Sequence, residues 1–427
     1  MGFVTGLTCS VCGAQVPLSR ALSWRCPNST GADRRHVLAF DTVIAPFRPV
    51  DNVNPFLAYR SSLAVDAFGA AIGLADPDRA GIIAELDAAV ARVEGHGFVR
   101  TPIARADSLS DELGFSADGG VWVKDETGNV AGSHKARHLF TELVHLVFAE
   151  RAGLVPWASP TGRPPLAIAS CGNAAIAAAT LARAVDWPIA VHVPPGAAPS
   201  VVARLEALGA DVRTCPRRDE DPPGDPCVLR FREAVADGAI PFGVQGTENA
   251  WCLDGGRTIG WEITSSLGRH CDRLFIQVGG GAFAASVATS MADTGFHPAL
   301  HAVQVEGCAP LARAWERAIA TGGPRDAGPR WAECMWPWES EPHSLADGIL
   351  DDETYDWIAV VGGMADTGGS PVVASESDVV RAHELALRCT DIRVSPTGSA
   401  GLAGVLAMRD AIADHERVAV VFSGVLR

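Results

Sequence analysis

The amino-acid sequence predicts an α/β fold with open parallel sheets and helices on both faces. From about residue 120 onward, short apolar runs alternate with alanine-rich segments of helical periodicity. This alternation is typical of βαβ units, in which a helix returns the chain so that the next strand can lie parallel to the last. The chain has 427 residues, too many for a single compact core, so we expect more than one domain.

Eight apolar runs are predicted strands. In chain order they are VWVKDE, PLAIAS, PIAVHVP, DVRTC, RLFIQVGG, ALHAVQVEG, DWIAVVGG and RVAVVFSG. Helical patterns separate most of them, and residues 41–115 are predicted to be mostly helical, with AGIIAELDAAVARVEG strongly amphipathic. Ligands of parallel α/β sheets bind where strands end and loops lead into helices. We therefore look for chemistry in the loops that follow these strands.

Composition excludes several classes of protein. The net charge of −15 leaves no basic face to neutralise phosphates, so we expect no nucleic-acid partner. No apolar run reaches membrane-spanning length without glycine, proline or charge, and the first residues lack the pattern of a secretory signal. The eleven cysteines are scattered and odd in number, which indicates a reducing compartment. We expect a cytoplasmic protein without a membrane partner.

The N-terminal segment carries a cysteine pattern of its own. TCSVCG supplies Cys9 and Cys12, and WRCP supplies Cys26. The pattern is typical of a zinc ribbon, but a structural zinc site needs four ligands and the expected fourth position is polar. His36 is a candidate for the fourth ligand. Two interpretations stay open: a bound zinc, or a relic ribbon without metal.

One loop brings a lysine to the start of a helix. In KDETGNVAGSHKAR, a Gly-Ser pair that includes Ser133 opens the predicted helix, and Lys135 lies in its first turn. The positive end of the helix dipole disfavours an ammonium there, which favours a neutral, nucleophilic amine. Lys135 is therefore a candidate Schiff-base lysine. The alternative is an ordinary exposed helix lysine.

Three further loops carry candidate binding residues. SCGN, from Ser170 through Cys171 and Gly172 to Asn173, opens a helix whose backbone N–H groups suit a carboxylate, and the Asn173 side chain can bond a ring hydroxyl. Gly279, Gly280 and Gly281, followed by Ala282, predict a nest of N–H groups that binds a phosphate. Ser423 follows the last strand. Each of the first two loops has a plain alternative, a tight turn before a helix.

Together these loops resemble those of the fold-type II pyridoxal-phosphate (PLP) enzymes, whose fold is like that of tryptophan synthase β. The resemblance runs from about residue 97 to residue 427 and is nearest to the serine/threonine dehydratases and serine racemases. It implies PLP as cofactor, bound to Lys135 with its phosphate on Gly279–Ala282, Ser423 at the pyridine nitrogen and Asn173 beside the ring. It implies an amino-acid substrate held by Ser133 and by residues 170–173. We also expect a homodimer.

The same resemblance divides the chain. Residues 1–40 are a degenerate ribbon-like segment, similar to that of threonine synthases of the same fold type. Residues 41–154 and 246–427 form the large PLP-binding domain, and residues 155–245 form a small mobile domain.

The sequence also departs from the family pattern. Cys171 stands where racemases commonly place a serine, Ser395 replaces a common acidic residue, and His134 replaces an aromatic residue before the lysine. We expect a lyase of the serine/threonine ammonia-lyase type. One alternative is a threonine-synthase-like replacement on a phosphorylated hydroxy amino acid, for which Arg137 is the nearest cation for a second phosphate. Another is an inert regulator that binds PLP or amino acids.

Overall fold

The structure, a computed structural model, describes residues 4–43, 47–222, 224–268 and 270–427. Within them the strands are β1 (Val4–Cys9), β2 (Gln15–Pro17), β3 (Leu38–Thr42), β4 (Ile103–Arg105), β5 (Gly120–Asp125), β6 (Leu166–Ala169), β7 (Ile189–Val193), β8 (Asp211–Thr214), β9 (Ile240–Pro241), β10 (Arg273–Gln277), β11 (Ala299–Val305), β12 (Ser370–Ala374) and β13 (Arg417–Phe422). The α-helices are α1 (Pro55–Ala58), α2 (Ala64–Ala71), α3 (Asp76–Glu94), α4 (Asp107–Glu112), α5 (Lys135–Arg151), α6 (Asn173–Ala184), α7 (Pro199–Ala207), α8 (Pro226–Ala236), α9 (Cys252–Leu267), α10 (Ala282–Thr294), α11 (Pro310–Thr321), α12 (Trp331–Cys334), α13 (Trp357–Thr367), α14 (Glu376–Cys389) and α15 (Pro396–Ala407).

The strands form three sheets. The N-terminal sheet is antiparallel, with the order β2-β1-β3. The largest sheet has the order β12-β11-β10-β13-β5-β4, and only its edge strand β4 is antiparallel to its neighbour. The third sheet, β8-β7-β6-β9, is wholly parallel and lies within residues 155–245. The predicted parallel α/β architecture is confirmed, while the boundaries and the mobility of the small domain stay predictions.

Seven of the eight predicted strands correspond to β5, β6, β7, β8, β10, β11 and β13. The eighth prediction, DWIAVVGG, is wrong because this run forms α13. Its buried residues Trp357, Val360, Val361 and Met364 recur with helical spacing, a pattern hidden by the surrounding apolar residues. A Cβ at Gly363 would lie 2.7 Å from the Cβ of Ala288, so glycine lets α13 pack tightly against α10.

Helix α5 lies in the interior between α6 and α9. Its residues are buried on every side from Ala136 to Ala149. A helix buried all round cannot show a single apolar stripe, and this one includes polar residues that find partners inside the protein. No helix in the described part of the chain is both long and apolar enough to span a membrane.

Candidate active site

Three of the predicted loops leave neighbouring strands at the same edge of the large sheet. β13 pairs in parallel with β10 on one side and with β5 on the other. The glycine loop follows β10, Ser423 follows β13, and the loop before Lys135 follows β5. Parallel pairing therefore brings the three loops together at the carboxyl ends of the strands.

The lysine loop has a strained turn before α5. Ala131 has a φ of 55°, a left-handed conformation that is uncommon for a residue with a Cβ. Ser133 then extends, and its Oγ accepts a hydrogen bond from the backbone N–H of Lys135 at 3.4 Å. The His134 N–H donates to the Ser423 carbonyl at 3.0 Å, which joins this loop to the end of β13. Lys135 is half-buried at the first position of the helix.

The charges of two aspartates affect the pKa of Lys135. Burial lowers the pKa of the Lys135 ammonium, and the charges of Asp351 and Asp356 partly oppose this shift. Burial also raises the pKa of Asp351 to about 6 and that of Asp356 to about 7. In the described residues the Lys135 ammonium has no hydrogen-bond partner. The amine is thus biased toward its neutral form, as a nucleophile or base requires.

The glycine loop is closely covered by residues 349–356. A Cβ on Gly279 would collide with Asp351, and one on Gly281, whose φ is +95°, would lie 2.8 Å from Cγ2 of Thr354. A Cβ on Gly280 would lie 3.7 Å from the same Asp351 carboxylate, and Ala282 begins α10. A carboxylate of the chain itself therefore lies against the loop that the sequence predicts as an anion-binding nest.

Ser423 is oriented by a residue that the sequence analysis missed. Gln277, the last residue of β10, uses its Nε2 to donate at 2.8 Å both to the Gly398 carbonyl and to the Ser423 Oγ. Because an amide nitrogen only donates, the Ser423 oxygen accepts, and the hydroxyl hydrogen stays free to donate elsewhere. In the sequence, the sign of this role is that Gln277 is a polar residue at the end of an apolar strand.

The SCGN loop connects β6 of the four-stranded sheet to α6. Its Ser170 Oγ accepts from the Gly172 N–H at 3.4 Å, Asn173 opens α6, and Cys171 is exposed. Arg427 donates to the Asn173 Oδ1 at 3.1 Å.

Gly424 connects this loop to the lysine loop. A Cβ on Gly424 would lie 2.7 Å from the Asn173 amide nitrogen and 3.4 Å from the Ser133 Cβ. The backbone of Gly424 therefore lies between two of the predicted binding loops.

Arg137 does not have the role that the sequence suggested. It is fully buried and bonded to Glu126 at 2.8 Å and to Glu262 at 2.5 Å. Its guanidinium is thus committed to a network of ion pairs and does not offer a free cation for a substrate phosphate. Asp351 and Asp356 were also not singled out from the sequence, since a run of acidic residues does not indicate which side chains affect the pKa of Lys135.

Most of the chain matches a known protein family. Residues 96–424 match the family described as pyridoxal-phosphate dependent enzyme. The chain belongs to this family. The fold is that of the fold-type II enzymes, as the resemblance implied.

Individual relatives of this family are distant. The chain is 28% identical over 239 residues to a serine dehydratase-like protein of Mus musculus, a match that covers 55% of this chain and 64% of the mouse protein, just under two thirds of its length. It is 23% identical over 332 residues to threonine synthase of Bacillus sp. (strain ULM1), covering 76% of this chain and 82% of the synthase. The solved structure of maize serine racemase is similar with a TM-score of 0.60 and 20% identity, covering 80% of this chain and 92% of that one. This last likeness concerns the fold.

Proposed function

We propose that this chain is a PLP-dependent lyase. It eliminates a β-leaving group from a small amino acid, serine or threonine first, and releases ammonia and a 2-oxo acid. The observation that carries the proposal is the hydroxyl of Ser423, which has a free hydrogen and lies at the sheet edge next to the lysine loop.

The described residues fit PLP. Lys135 supplies an amine of lowered pKa for the cofactor's aldehyde, and the backbone N–H groups of Gly279–Gly281 and Ala282 would hold the phosphate. The Asp351 carboxylate at Gly280 supports an anion at this place, and it must be protonated or displaced before a phosphate can bind there. Ser423 would donate to the ring nitrogen, and Asn173 would bond the ring hydroxyl.

The loop that would bind the substrate carboxylate follows β6, a strand of the four-stranded sheet. The N–H groups at the start of α6, with Ser170, Cys171 and Gly172, would bind the amino-acid carboxylate, and Ser133 lies across Gly424 from Asn173. When bound, PLP supplies an electron sink for the negative charge that develops at the substrate Cα. Lys135 would remove the Cα proton, because burial lowers the pKa of its ammonium and so favours the free amine that a base requires.

The choice of elimination follows from Ser423. The Ser423 hydroxyl would donate a hydrogen bond to the ring nitrogen and keep its own proton, so it would support less negative charge at the substrate Cα than an acidic residue in its place would. Weaker support of that charge would favour rapid loss of the β-substituent. The exposed thiol of Cys171, a weak hydrogen-bond donor, makes reprotonation on the opposite face less effective and so disfavours racemisation.

A second candidate is the replacement reaction of threonine synthases. It is favoured by the larger share of the chain that matches the Bacillus synthase. It is disfavoured by Arg137, whose burial between two glutamates removes the nearest cation for a second phosphate.

One experiment distinguishes the candidates. The full chain with PLP is incubated with L-serine, L-threonine or O-phosphohomoserine, and ammonia, 2-oxo acid and free phosphate are measured. We expect ammonia and 2-oxo acid in equal amounts from serine or threonine, and none with the Lys135→Ala variant. Phosphate release with threonine formed, and no ammonia, would overturn the proposal in favour of a synthase. Absence of any turnover across a wide amino-acid panel would favour a regulator.

A further inference from the structure

We propose that Cys9, Cys12, Cys26 and His36 bind one Zn²⁺ in a closed, structural site. The four ligand atoms all lie within 4.8 Å of one another, although His36 is ten residues beyond the last cysteine. The structure thus supplies the fourth donor that the cysteine spacing left open. This site lies outside the proposed lyase chemistry.

The distances suit a tetrahedral zinc ion. The Cys9 Sγ lies 3.4 Å from the His36 Nδ1, and the Cys12 Sγ lies 3.5 Å from the Cys26 Sγ. Zinc bonds of about 2.3 Å to sulfur and about 2.0 Å to nitrogen give tetrahedral edges of roughly 3.5–3.8 Å. A disulfide would instead need a sulfur–sulfur distance of about 2.05 Å, and the three cysteines are free of such bonds.

Groups around the ligands also suit thiolates and a metal-bound imidazole. The backbone N–H of Asn28 donates to the Cys26 sulfur at 3.4 Å, and the Asn28 side chain donates to the Cys12 sulfur at 3.3 Å. The His36 Nε2 lies 3.7 Å from a carboxylate oxygen of Asp33, while its Nδ1 faces the cysteines. A carboxylate on the far nitrogen of a metal-binding histidine fixes its tautomer and orientation.

The turn between the first two cysteines has the conformation that such a site needs. The Gly13 N–H donates to the Cys9 carbonyl at 2.9 Å, and Gly13 has a φ of +72°, which glycine adopts readily. The turn therefore brings Cys9 and Cys12 to the same side of the ribbon.

Four protein ligands leave no position for a substrate, so the ion's role is structural. The segment between Pro17 and Leu38 has no regular secondary structure, yet it contacts the lysine helix and the approach to α9. The Leu22 N–H donates to the His145 Nε2 of α5 at 3.3 Å, and the Trp251 Nε1 donates to the Ser23 carbonyl at 3.1 Å. A metal that ties both ends of this irregular segment therefore holds it against α5.

The test measures metal in the full-length chain purified without chelator. We expect one zinc per chain in the wild type and in Cys389→Ser, a matched control whose cysteine lies outside the cluster. We expect less than a fifth of that in Cys12→Ser. His36→Ala should weaken zinc binding at least tenfold in a chelator competition, and His36→Cys should restore it, since cysteine is an equally good zinc ligand.

A milder variant keeps the test independent of folding. Asp33→Asn leaves all four ligands in place and should weaken zinc binding about tenfold, as loss of a carboxylate behind a ligand does. Metal-free wild type, a Cys12–Cys26 disulfide in the purified chain, or full zinc in folded Cys12→Ser would each overturn the proposal. None of these results depends on turnover, so the metal site fails or holds separately from the lyase activity.

Discussion

Two lysines lie eleven positions apart in this chain, and their surroundings in the structure are opposite. Lys124 and Lys135 are the only lysines in the sequence. Lys124 is fully buried at the end of β5, where its ammonium donates to the Thr101 carbonyl at 2.6 Å and to Glu262 at 2.5 Å. Lys135 is half-buried and faces two aspartates of raised pKa without a hydrogen bond in the described residues.

The difference separates a lysine that holds the structure from one that is available for chemistry. The charge of Lys124 belongs to a buried network with Glu126, Arg137 and Glu262, in which ion pairs offset the cost of taking charges out of water. The charge of Lys135 is opposed by burial and only partly compensated. Burial favours the neutral form of an amine in the second situation, and the neutral form is the one that attacks an aldehyde.

The largest expected effect is on the covalent link. Borohydride reduction of the PLP-loaded wild type, followed by peptide mass spectrometry, should place the modification on Lys135 alone. Lys135→Ala should abolish the modification and lower kcat by more than about 1,000-fold, because the base and the attachment point are lost together. Modification of Lys124 instead would mean that Lys124, and not Lys135, holds the cofactor.

The next effect is on folding. Lys124→Met should lower the free energy of unfolding by about 3 kcal/mol, because it leaves part of the buried carboxylate charge uncompensated. The matched variant Lys135→Met should change it by less than about 1 kcal/mol. Urea unfolding of the metal-replete, cofactor-free chain measures both. Equal losses would mean that the two lysines are both structural.

The comparison also marks the limit of what the sequence could predict. The βαβ alternation predicted the parallel sheets, and strand topology placed Lys135, Gly279–Gly281 and Ser423 at one edge. The network of Lys124 could not be predicted, since Glu126 and Glu262 lie on segments far apart in the chain. Gln277 shows the same limit, because it becomes a neighbour of Ser423 only through tertiary packing. The strand prediction for α13 failed because a buried helix loses the periodicity that identifies it.

A smaller effect concerns pH. The pKa of Asp351 is about 6, so this side chain is protonated below that pH and ionised above it. An ionised carboxylate at Gly280 competes with a phosphate, so the affinity for PLP should fall as pH rises from 6 to 8, by at most about tenfold per unit. Asp351→Asn should remove this fall and bind PLP more tightly than wild type at pH 8. The titration of the PLP phosphate affects both proteins equally, so the ratio of their affinities isolates Asp351. A ratio that is the same at pH 6 and pH 8 would refute this explanation.

The smallest expected effect is on kcat and tests whether Gln277 orients Ser423. Gln277→Leu removes the donor that makes the Ser423 oxygen an acceptor, so the hydroxyl can turn toward the carbonyls of Gly398 or Val421. Loss of one such hydrogen bond corresponds to a roughly 2- to 10-fold fall in kcat. The absorption spectrum of bound PLP should shift in the same direction as in Ser423→Ala. A fall in stability with kcat and spectrum unchanged would make Gln277 purely structural.

The order of the central strands has a consequence for how this chain can tolerate change. β10, β13 and β5 are neighbours, and strands in a sheet lie about 4.8 Å apart, so the three loops that follow them are spaced over roughly 10 Å. Hydrogen bonding within the sheet sets the distance between neighbouring strands, so this distance does not depend on the length of the chain that connects them. The whole four-stranded sheet is inserted between β5 and β10 without altering that spacing. Insertions in these connections should therefore be tolerated, whereas a slip of one residue in the pairing of β13 would turn Ser423 away from the edge.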